Sequence, residues 1–421
     1  MASLTNWAGN HAYVAANVHE PGSVEELQEV VNGARSVRAL GSRHSFNDVA
    51  DTTGDLVSLR RMPRHFDLDP AARTVTVDGG VRYGDLCGRL DDAGFALHNL
   101  ASLPHISVAG ACATGTHGSG DRIGSLATAV TALEIVTAGG ELTVLTRDRA
   151  PDVFSGAVVA LGGLGIVVGL TLAVEPAFRM RQDLYEGLSL DRVVERFDEI
   201  TSSADSVSLF TDWRAPTVDQ VWLKRRVPDD DPFEPPSEFL GATIATVPLH
   251  PIRAMPPAAC TEQLGVVGPW HERLPHFRMD HTPSSGAELQ SEYLMPRQHA
   301  ADALLAIDGI REQFVALLQI SEVRTIAADE LWMSMAYGRA SVAIHFTWQP
   351  DWEGVRRVLP TIEAALAPFD PRPHWGKLFT MSPDVVRGSY EQLPRFAGLL
   401  ERFDPSGTFR NAFLDRYILA S

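Results

Sequence analysis

Apolar and polar positions follow different periods along the first part of the chain. Residues 23–35, "SVEELQEVVNGAR", place apolar side chains at helical spacing behind a serine suited to cap the first turn, which predicts a helix. Residues 74–83, "TVTVDGGVRY", alternate like a strand, and residues 128–145 predict a β-hairpin over their paired glycines. The chain up to Pro176 is therefore predicted to form an α+β unit.

Residues 153–174, "VFSGAVVALGGLGIVVGLTLAV", form an uncharged apolar stretch with the length of a membrane span. Five glycines interrupt it, three of them within residues 162–165, and β-branched residues follow them. This order predicts a turn that enters a buried strand, so we do not expect a membrane helix.

Beyond Pro176 the sequence changes to strand patterns that carry more polar residues. Residues 208–226, "SLFTDWRAPTVDQVWLKRR", have strand texture, whereas the acidic, proline-rich residues 227–239, "VPDDDPFEPPSEF", predict an exposed loop. No repeat with a fixed period and no coiled-coil pattern is present.

Two later strand patterns carry polar residues on one face. In "SVAIHFTW", alternation separates an apolar face from a face formed by Ser341, Ala343, His345 and Thr347. In "SEVRTI", Glu322 and Arg324 share a face about 6.5 Å apart. Such faces are usually solvated, but these groups on neighbouring strands could equally line a pocket for a hydroxyl-rich substrate. The segment "RPHWGKLF" adds His374 and Lys377, and it is too apolar for an ordinary surface loop.

The composition excludes several classes of function. The chain has 421 residues, 45% of them hydrophobic, which is ordinary for a globular protein of two or three domains. It has 53 acidic and 36 basic residues, a net charge of −17 and no basic run, so neither nucleic acid nor a membrane surface is an expected partner. The three cysteines lack C-x-x-C spacing and predict free, buried thiols. Because the N-terminus also lacks the features of a secretory signal, we expect a cytoplasmic protein.

Two turns rich in small residues are the first candidates for a binding site. Residues 40–48, "LGSRHSFND", and residues 109–120, "AGACATGTHGSG", offer backbone N–H groups that can converge on an anion. Each alone could be an ordinary turn, but two in one domain could hold the two phosphates of a dinucleotide. Neither matches G-x-G-x-x-G, and the chain has no P-loop. His44 and His117 lie one in each turn, but no metal-ligand motif accompanies them, so we expect no metal site.

Seven segments together resemble one known family. They are "LGSRHSFND", "ASLPHISVAGACATGTHGSG", "LGGLGIVVGLTL", "SLFTDWRAP", "HERLPHF", "SGAELQSEYLMPR" and "RPHWGKLF". From residue 6 to residue 411 the chain is similar to the alditol oxidases, covalent flavoproteins of the vanillyl-alcohol-oxidase type that are related to the aldonolactone oxidoreductases.

The resemblance implies an α+β architecture, a vanillyl-alcohol-oxidase (PCMH-type) FAD-binding fold of two domains. The FAD-binding domain is expected over residues 1–178, and a substrate cap of mixed sheet and helices over residues 179–371. Residues 372–421 are expected to return to the FAD-binding domain.

The resemblance also implies what the first turn binds. In this family the histidine of that turn is joined to the 8α-methyl group of FAD, and here that residue is His44. The other residues implied to bind FAD are Leu40, Gly41, Ser42, Arg43, Ser45, Phe46, Ser102, Ser107, Gly110, Thr114, Gly115, Thr116, His117, Gly165 and Ile166. Arg43 stands where a small residue is expected in the family.

A polyol pocket is implied in the same way. The residues implied to bind substrate are Ser102, Glu322, Arg324, Thr347 and Lys377. The implied reaction transfers a hydride from the terminal carbinol carbon to flavin N5, after which O₂ is reduced to hydrogen peroxide. His345 is the expected base, Lys377 and Arg324 are expected to stabilise an alkoxide, and Glu322 is expected to orient Arg324.

Three other functions fit parts of this pattern. The same scaffold could serve an aldonolactone oxidase or dehydrogenase, which substrate profiling would distinguish. A flavin carrier or sensor would need no cluster of Glu322, Arg324 and His345, and a metal hydrolase using His44 and His117 would be sensitive to chelators. We expect a monomeric oxidase of xylitol- or sorbitol-like alditols, with O₂ as the acceptor.

Overall fold

The computed structural model describes residues 4–228, 230 and 232–419 of the chain. In its N-terminal part, short strands and helices follow one another along the chain. These are β1 (Asn17–His19), α1 (Val24–Gly33), β2 (Val37–Ala39), β3 (Asp55–Val57), β4 (Phe66–Asp69), β5 (Thr74–Asp78), α2 (Tyr83–Asp92), β6 (Phe95–Ala96), α3 (Val108–Ala113), β7 (Val130–Val136), β8 (Leu142–Thr146), α4 (Pro151–Ala157), β9 (Ile166–Ala173) and β10 (Glu175–Pro176).

Two main sheets organise this part. Strands β1, β3 and β2 pair in parallel, and β4-β5-β9-β7-β8 form an antiparallel sheet, while β6 and β10 pair separately. The predicted helix is confirmed, because α1 begins after Ser23, whose hydroxyl accepts a hydrogen bond from the Glu26 N–H. The predicted hairpin is confirmed as β7 and β8.

The apolar stretch of residues 153–174 also folds as predicted. It contains the end of α4, a turn in which Gly162 and Gly165 have positive φ values of 71° and 142°, and the buried strand β9. Across the described residues, no helix has both the length and the apolar character needed to cross a membrane.

The middle of the chain forms one large sheet with helices. Its elements are β11 (Arg179–Ser189), α5 (Leu190–Glu195), α6 (Phe197–Thr201), β12 (Ser206–Thr211), β13 (Thr217–Val227), β14 (Glu238–Phe239), β15 (Ala242–Ile244), β16 (Gly268–Pro269), β17 (Leu289–Pro296), α7 (Ala300–Ile310), β18 (Leu318–Ile326), β19 (Ser341–Trp348), α8 (Trp352–Leu366) and β20 (Arg372–Pro373). The strand order is β14-β15-β11-β13-β12-β18-β19-β17-β20, with β16 also paired to β11.

Both faces of this sheet are buried at its centre. The apolar face of β19 packs against Phe314, whose ring lies 5.8 Å from Phe346 and 6.1 Å from Trp348. The polar face, which includes His345, turns towards the N-terminal part and is buried there as well. The solvated face that is usual for such a pattern is therefore absent from β19.

The remaining helices are α9 (Pro383–Gly388), α10 (Leu393–Phe403) and α11 (Ala412–Tyr417). The Asn411 amide donates to the Val49 and Asp51 carbonyls at 3.1 and 2.9 Å, which joins this segment to the N-terminal part. The first strand of the large sheet begins at Arg179 and its last strand ends at Pro373. The domain limits expected after residues 178 and 371 stay predictions.

Two smaller predictions concern the cysteines and the acidic loop. Cys87, Cys112 and Cys260 are free and buried, as expected. Most described positions of residues 227–239 are exposed, whereas Asp229 and Asp231 lie outside the described residues.

Candidate active site

A cavity of about 960 Å³ lies between the N-terminal part and the polar face of the large sheet. The two turns rich in small residues form one end of its wall, and β17, β18 and β19 contribute the other. Its volume is at the upper end of the range usual for cofactor and ligand sites. The fold thus brings both sets of sequence-predicted residues to one cavity.

Most of the predicted site residues line this cavity. They are Leu40, Gly41, Ser42, Arg43, His44, Ser45, Phe46, Ser102, Ser107, Gly110, Thr114, Thr116, His117, Gly165, Glu322, Arg324, His345, Thr347 and Lys377. Two others, Gly115 and Ile166, are not part of the wall. A side chain at Gly115 would meet the sulfur of Met335 at 3.2 Å, and Ile166 is buried in an apolar cluster with Leu27 and Val31.

The first turn presents His44 to the cavity with both ring nitrogens unpaired. Nδ1 and Nε2 are buried and, among the described residues, neither has a hydrogen-bond partner. Trp7 stacks on the ring at 5.3 Å and fixes its plane. Burial, and to a smaller extent the charge of the neighbouring His105, lowers the pKa of His44 to about 4. The ring is therefore neutral at neutral pH and carries a free lone pair.

Arg43, the departure from the family pattern, has a left-handed backbone with φ of 63°. Glycine adopts this conformation without penalty, which is a physical reason for a small residue here. The Arg43 guanidinium donates to the Thr5 carbonyl at 3.1 Å, and the Trp7 N–H donates to the Arg43 carbonyl at 2.8 Å. These bonds secure the turn despite the larger side chain.

The second turn packs closely against the first. The Ser107 N–H donates to the Ser42 hydroxyl at 3.0 Å. A Cβ atom at Gly41 or Gly110 would lie 2.9 or 2.8 Å from the Ser107 hydroxyl, so neither position tolerates a side chain without a shift. That hydroxyl is itself buried and has no partner among the described residues.

These features fit an FAD molecule. The two turns form a narrow cradle that added Cβ atoms would fill, and the unpaired atoms of His44 and Ser107 are the kind of groups that a bound cofactor satisfies. His44, Ser42 and Ser107 would hold the cofactor from one end of the cavity.

Strand register explains how the other end is built. Glu322 of β18 and Glu292 of β17 lie directly opposite His345 of β19, one on each side, and Phe210 of β12 lies opposite Glu322. Residues paired in this way point to the same face of the sheet. The four side chains therefore form one row across four strands.

Glu292, which sequence reasoning did not single out, holds two cations of the site. Arg324 donates to its Oε1 at 2.7 Å, and the Lys377 ammonium lies 2.8 Å from its Oε2. His117 Nε2 is 3.3 Å from Oε1. Glu322, which was expected to orient Arg324, lies farther away, 3.5 Å from the Arg324 Nε. Arg324 contacts Glu292 more closely because its side chain can extend over Ala343, the small residue opposite it on β19.

The charges of the row follow from burial and from these pairs. Burial favours the neutral form of Glu292, but Lys377 and Arg324 outweigh it and hold the pKa of Glu292 well below its usual range. Glu322 also has a lowered pKa, since Arg324 and His276 outweigh its burial. Burial, followed by the Lys377 charge, holds the pKa of His345 well below its usual value, so this ring is neutral.

The segment containing His374 and Lys377 connects the two ends of the cavity. The Phe46 N–H donates to the Gly376 carbonyl at 2.7 Å, and the His374 N–H donates to the Glu292 carbonyl at 2.9 Å. The Asn47 amide donates to the Lys377 carbonyl at 2.8 Å. Lys377 is thereby positioned against both the first turn and β17.

Sequence reasoning also missed Arg38. Its guanidinium is buried and donates to the carbonyls of Gly162, Phe409, Val49 and Leu161. Arg38 therefore joins three separate chain segments behind the first turn. The sequence did offer a signal for this role, because Arg38 lies between two apolar residues in β2. An arginine at such a position is rarely buried unless its guanidinium is paired.

Comparison with known proteins agrees with this geometry. Residues 15–146 match the model of an FAD binding domain, and residues 285–417 match the D-arabinono-1,4-lactone oxidase model. The chain is 51% identical over 416 residues to an alditol oxidase of Streptomyces sp. (strain IKD472 / FERM P-14339), with 98% of each chain covered. It is 29% identical over 437 residues to an L-gulono-1,4-lactone dehydrogenase of Mycobacterium tuberculosis, again with 98% of each covered.

Among solved structures, cholesterol oxidase from B. sterolicum superimposes with a TM-score of 0.78 at 14% identity, covering 99% of this chain and 96% of that one. A likeness at this identity concerns the fold, which is of the vanillyl-alcohol-oxidase type.

The fold and the cavity define an FAD-dependent oxidoreductase. Within that class, the chain belongs to the family of the alditol oxidases and aldonolactone oxidoreductases.

Proposed function

We propose that this protein oxidises the terminal hydroxyl of alditols such as xylitol or sorbitol to the aldehyde, with O₂ as the electron acceptor. One observation carries the proposal. Glu322, Arg324, His345, Thr347 and Lys377 line a single end of the cavity whose other end is formed by the His44 turn. The relative at 51% identity, which carries the name alditol oxidase, supports the same substrate class.

FAD, when bound, supplies the acceptor for the substrate hydride and then passes the electrons to O₂, which yields hydrogen peroxide. We propose that His345 accepts the hydroxyl proton at a ring nitrogen, since its neutral ring lines the cavity beside Lys377 and, among the described residues, no side chain hydrogen-bonds it. Lys377 and Arg324 supply fixed positive charge for the alkoxide that forms as the proton leaves. Glu322 and Thr347 offer hydrogen bonds to the other hydroxyl groups of the chain.

The attachment of FAD through His44 is part of this proposal. The unpaired, neutral imidazole has a lone pair that could form a bond to the 8α-carbon of the flavin. The 8α-methyl group would lose a proton, and the two electrons left on the flavin would pass to O₂, the acceptor of the proposed reaction. Its stacking on Trp7 holds the ring in one plane for that bond. The test is a denaturing gel viewed under ultraviolet light. Flavin fluorescence in the protein band that disappears in His44→Ala supports the attachment, whereas a dark band from yellow wild-type protein contradicts it.

An aldonolactone is the alternative substrate, favoured by the match of residues 285–417 to a lactone oxidase model. The open-chain polyol is favoured because the 51% identical relative is named an alditol oxidase, and because Lys377 and Arg324 supply positive charge for the alkoxide of a terminal hydroxyl. The two substrates are separated by mixing the oxidised protein with each in the absence of oxygen. Reduction of the flavin by alditols but not by L-gulono-1,4-lactone is the expected result.

A further inference from the structure

Two buried side chains that the proposed reaction does not use, Lys224 and His276, form a continuous chain of contacts that ends at Glu322. Lys224 of β13 is completely buried, and its Nζ lies 3.1 Å from His276 Nδ1. His276 Nε2 lies 2.8 Å from Glu322 Oε1 at the cavity. A buried lysine without a carboxylate of its own is unusual and calls for a reason.

The contacts of Lys224 determine which nitrogen of His276 carries the proton. An ammonium group has three hydrogens to donate, and among the described residues Lys224 faces three acceptors: the Leu274 carbonyl at 2.6 Å, the Pro275 carbonyl at 3.1 Å and His276 Nδ1. Since Nδ1 accepts, the single ring proton of neutral His276 is on Nε2, where it donates to Glu322. The Glu322 oxygen is in turn required to be an acceptor.

The packing of His276 prevents its ring from turning out of this arrangement. Phe210 and Trp222 pack against the ring edge-on at 5.5 and 5.2 Å. The N–H groups of His276 and Phe277 both donate to the Ser102 carbonyl, at 2.9 and 3.1 Å. The ring is therefore fixed relative to Ser102, which lines the cavity.

We propose that Lys224 is a positioning residue for substrate binding: through the tautomer of His276 it keeps the Glu322 carboxylate aimed to accept a hydrogen bond from a polyol hydroxyl. This inference rests on the proposed function, because it assigns Glu322 to a polyol.

The arrangement has a consequence for pH dependence. Burial, partly offset by the Glu322 charge, lowers the pKa of Lys224 to about 7. The other groups facing Lys224 are His276, Arg273 and Cys260, whose thiol is kept neutral because burial raises its pKa to about 12. Arg324, His276 and His345 face Glu322. When Lys224 loses a proton, it keeps two hydrogens for three acceptors and gains a lone pair, so Lys224 no longer holds His276 Nδ1 as an acceptor.

The experiment is anaerobic stopped-flow reduction of the holoenzyme by xylitol, which gives Kd and the limiting rate separately, over a range of pH. In the wild type, Kd is expected to rise as the pH increases through about 7. In Lys224→Met, Kd at low pH is expected to be about ten- to a hundred-fold higher than in the wild type, because the hydrogen bond between the polyol hydroxyl and the misaligned Glu322 carboxylate is lost. Kd in this variant is also expected not to rise with pH. Titration of Lys377 affects both proteins alike and is removed by the comparison.

A matched control and a second variant keep the test decisive. Gln182→Met removes a buried polar group directly opposite Lys224 on β11, and it is expected to keep the wild-type pH profile. If Lys224→Met does not fold, His276→Gln retains a donor to Glu322 and is expected to lose the rise in Kd. If Lys224→Met or His276→Gln binds xylitol weakly but its Kd still rises with pH as in the wild type, the role of Lys224 is wrong and the proposed function stands. A wild type whose flavin no polyol reduces overturns the proposed function and this inference together.

Discussion

Replacing Glu292 by glutamine tests whether one buried carboxylate holds the cations of the site. Glu292 is 1% exposed, and its partners Lys377 and Arg324 have side chains only 14% and 6% exposed. Removing one partner of a buried ion pair typically costs about 3–5 kcal/mol. Arg324 retains Glu322 at 3.5 Å, so Lys377 bears most of the loss and we expect the lower figure, about 3 kcal/mol.

The size of the thermal shift follows from the length of the chain. Unfolding entropy is about 2.1 cal/mol/K per residue, or about 0.9 kcal/mol/K for 421 residues, so a loss of about 3 kcal/mol lowers Tm by about 3 °C. Scanning calorimetry at neutral pH measures this shift. Glu195→Gln is the matched control, because Glu195 is an exposed carboxylate paired with Arg192, and its Tm is expected to change by less than about 1 °C.

The pH dependence of this shift has a definite sign. Burial already lowers the pKa of Lys377, and the loss of Glu292 lowers it further. Above that pKa the unfolded chain still binds a proton that the folded protein has released, so stability rises with pH. The gap in Tm between Glu292→Gln and the wild type is therefore expected to narrow from pH 7 towards pH 10. A gap that stays constant, or a Glu292→Gln variant as stable as the control, would show that the Glu292 carboxylate does not stabilise the Lys377 ammonium.

Three other changes have definite expected outcomes. Arg38→Met leaves buried carbonyls without a donor, and a calorimetric Tm lowered by less than about 3 °C would contradict its role in joining three segments. His345→Ala is expected to slow anaerobic flavin reduction about 100-fold or more, and a change of only a few-fold would remove His345 as the base. Burial raises the pKa of Asp329 to about 6, so the folded protein binds the extra proton and stability falls as pH rises from about 4 to 6. Asp329→Asn is expected to flatten that fall in a Tm series, whereas an unchanged profile would show that Asp329 does not cause it.

The elements that sequence could predict are those set by local pattern. The period of two in "SVAIHFTW" correctly separates the face of His345 from the face of Phe346, and the cap at Ser23 marks the start of α1. The row of side chains across the sheet could not be predicted from local pattern, because it depends on β17 pairing with β19 and on β12 pairing with β18. Strand order is decided by long-range packing, which no local period contains.

Buried charges were the main omission at the site. In "LQSEYLMP", Gln290 and Glu292 are two residues apart on a strand and therefore share a face, the same spacing as Glu322 and Arg324, so this segment carried a usable signal. Lys224 and His276 gave no comparable signal. Lys224 is followed by two arginines near the end of its strand, so the sequence suggests that this end of the strand is exposed to solvent. His276 lies in an irregular segment, and only the folded structure places it beside Glu322.

Anaerobic reduction of the flavin shows whether this chain oxidises open-chain alditols. The purified flavoprotein is mixed anaerobically with xylitol, sorbitol and L-gulono-1,4-lactone in turn, and the oxidised flavin absorbance is followed. We expect the alditols to abolish this absorbance, admitted oxygen to restore it with formation of hydrogen peroxide, and the lactone to have no effect. Reduction by the lactone but not by either alditol would show that the protein is not an alditol oxidase.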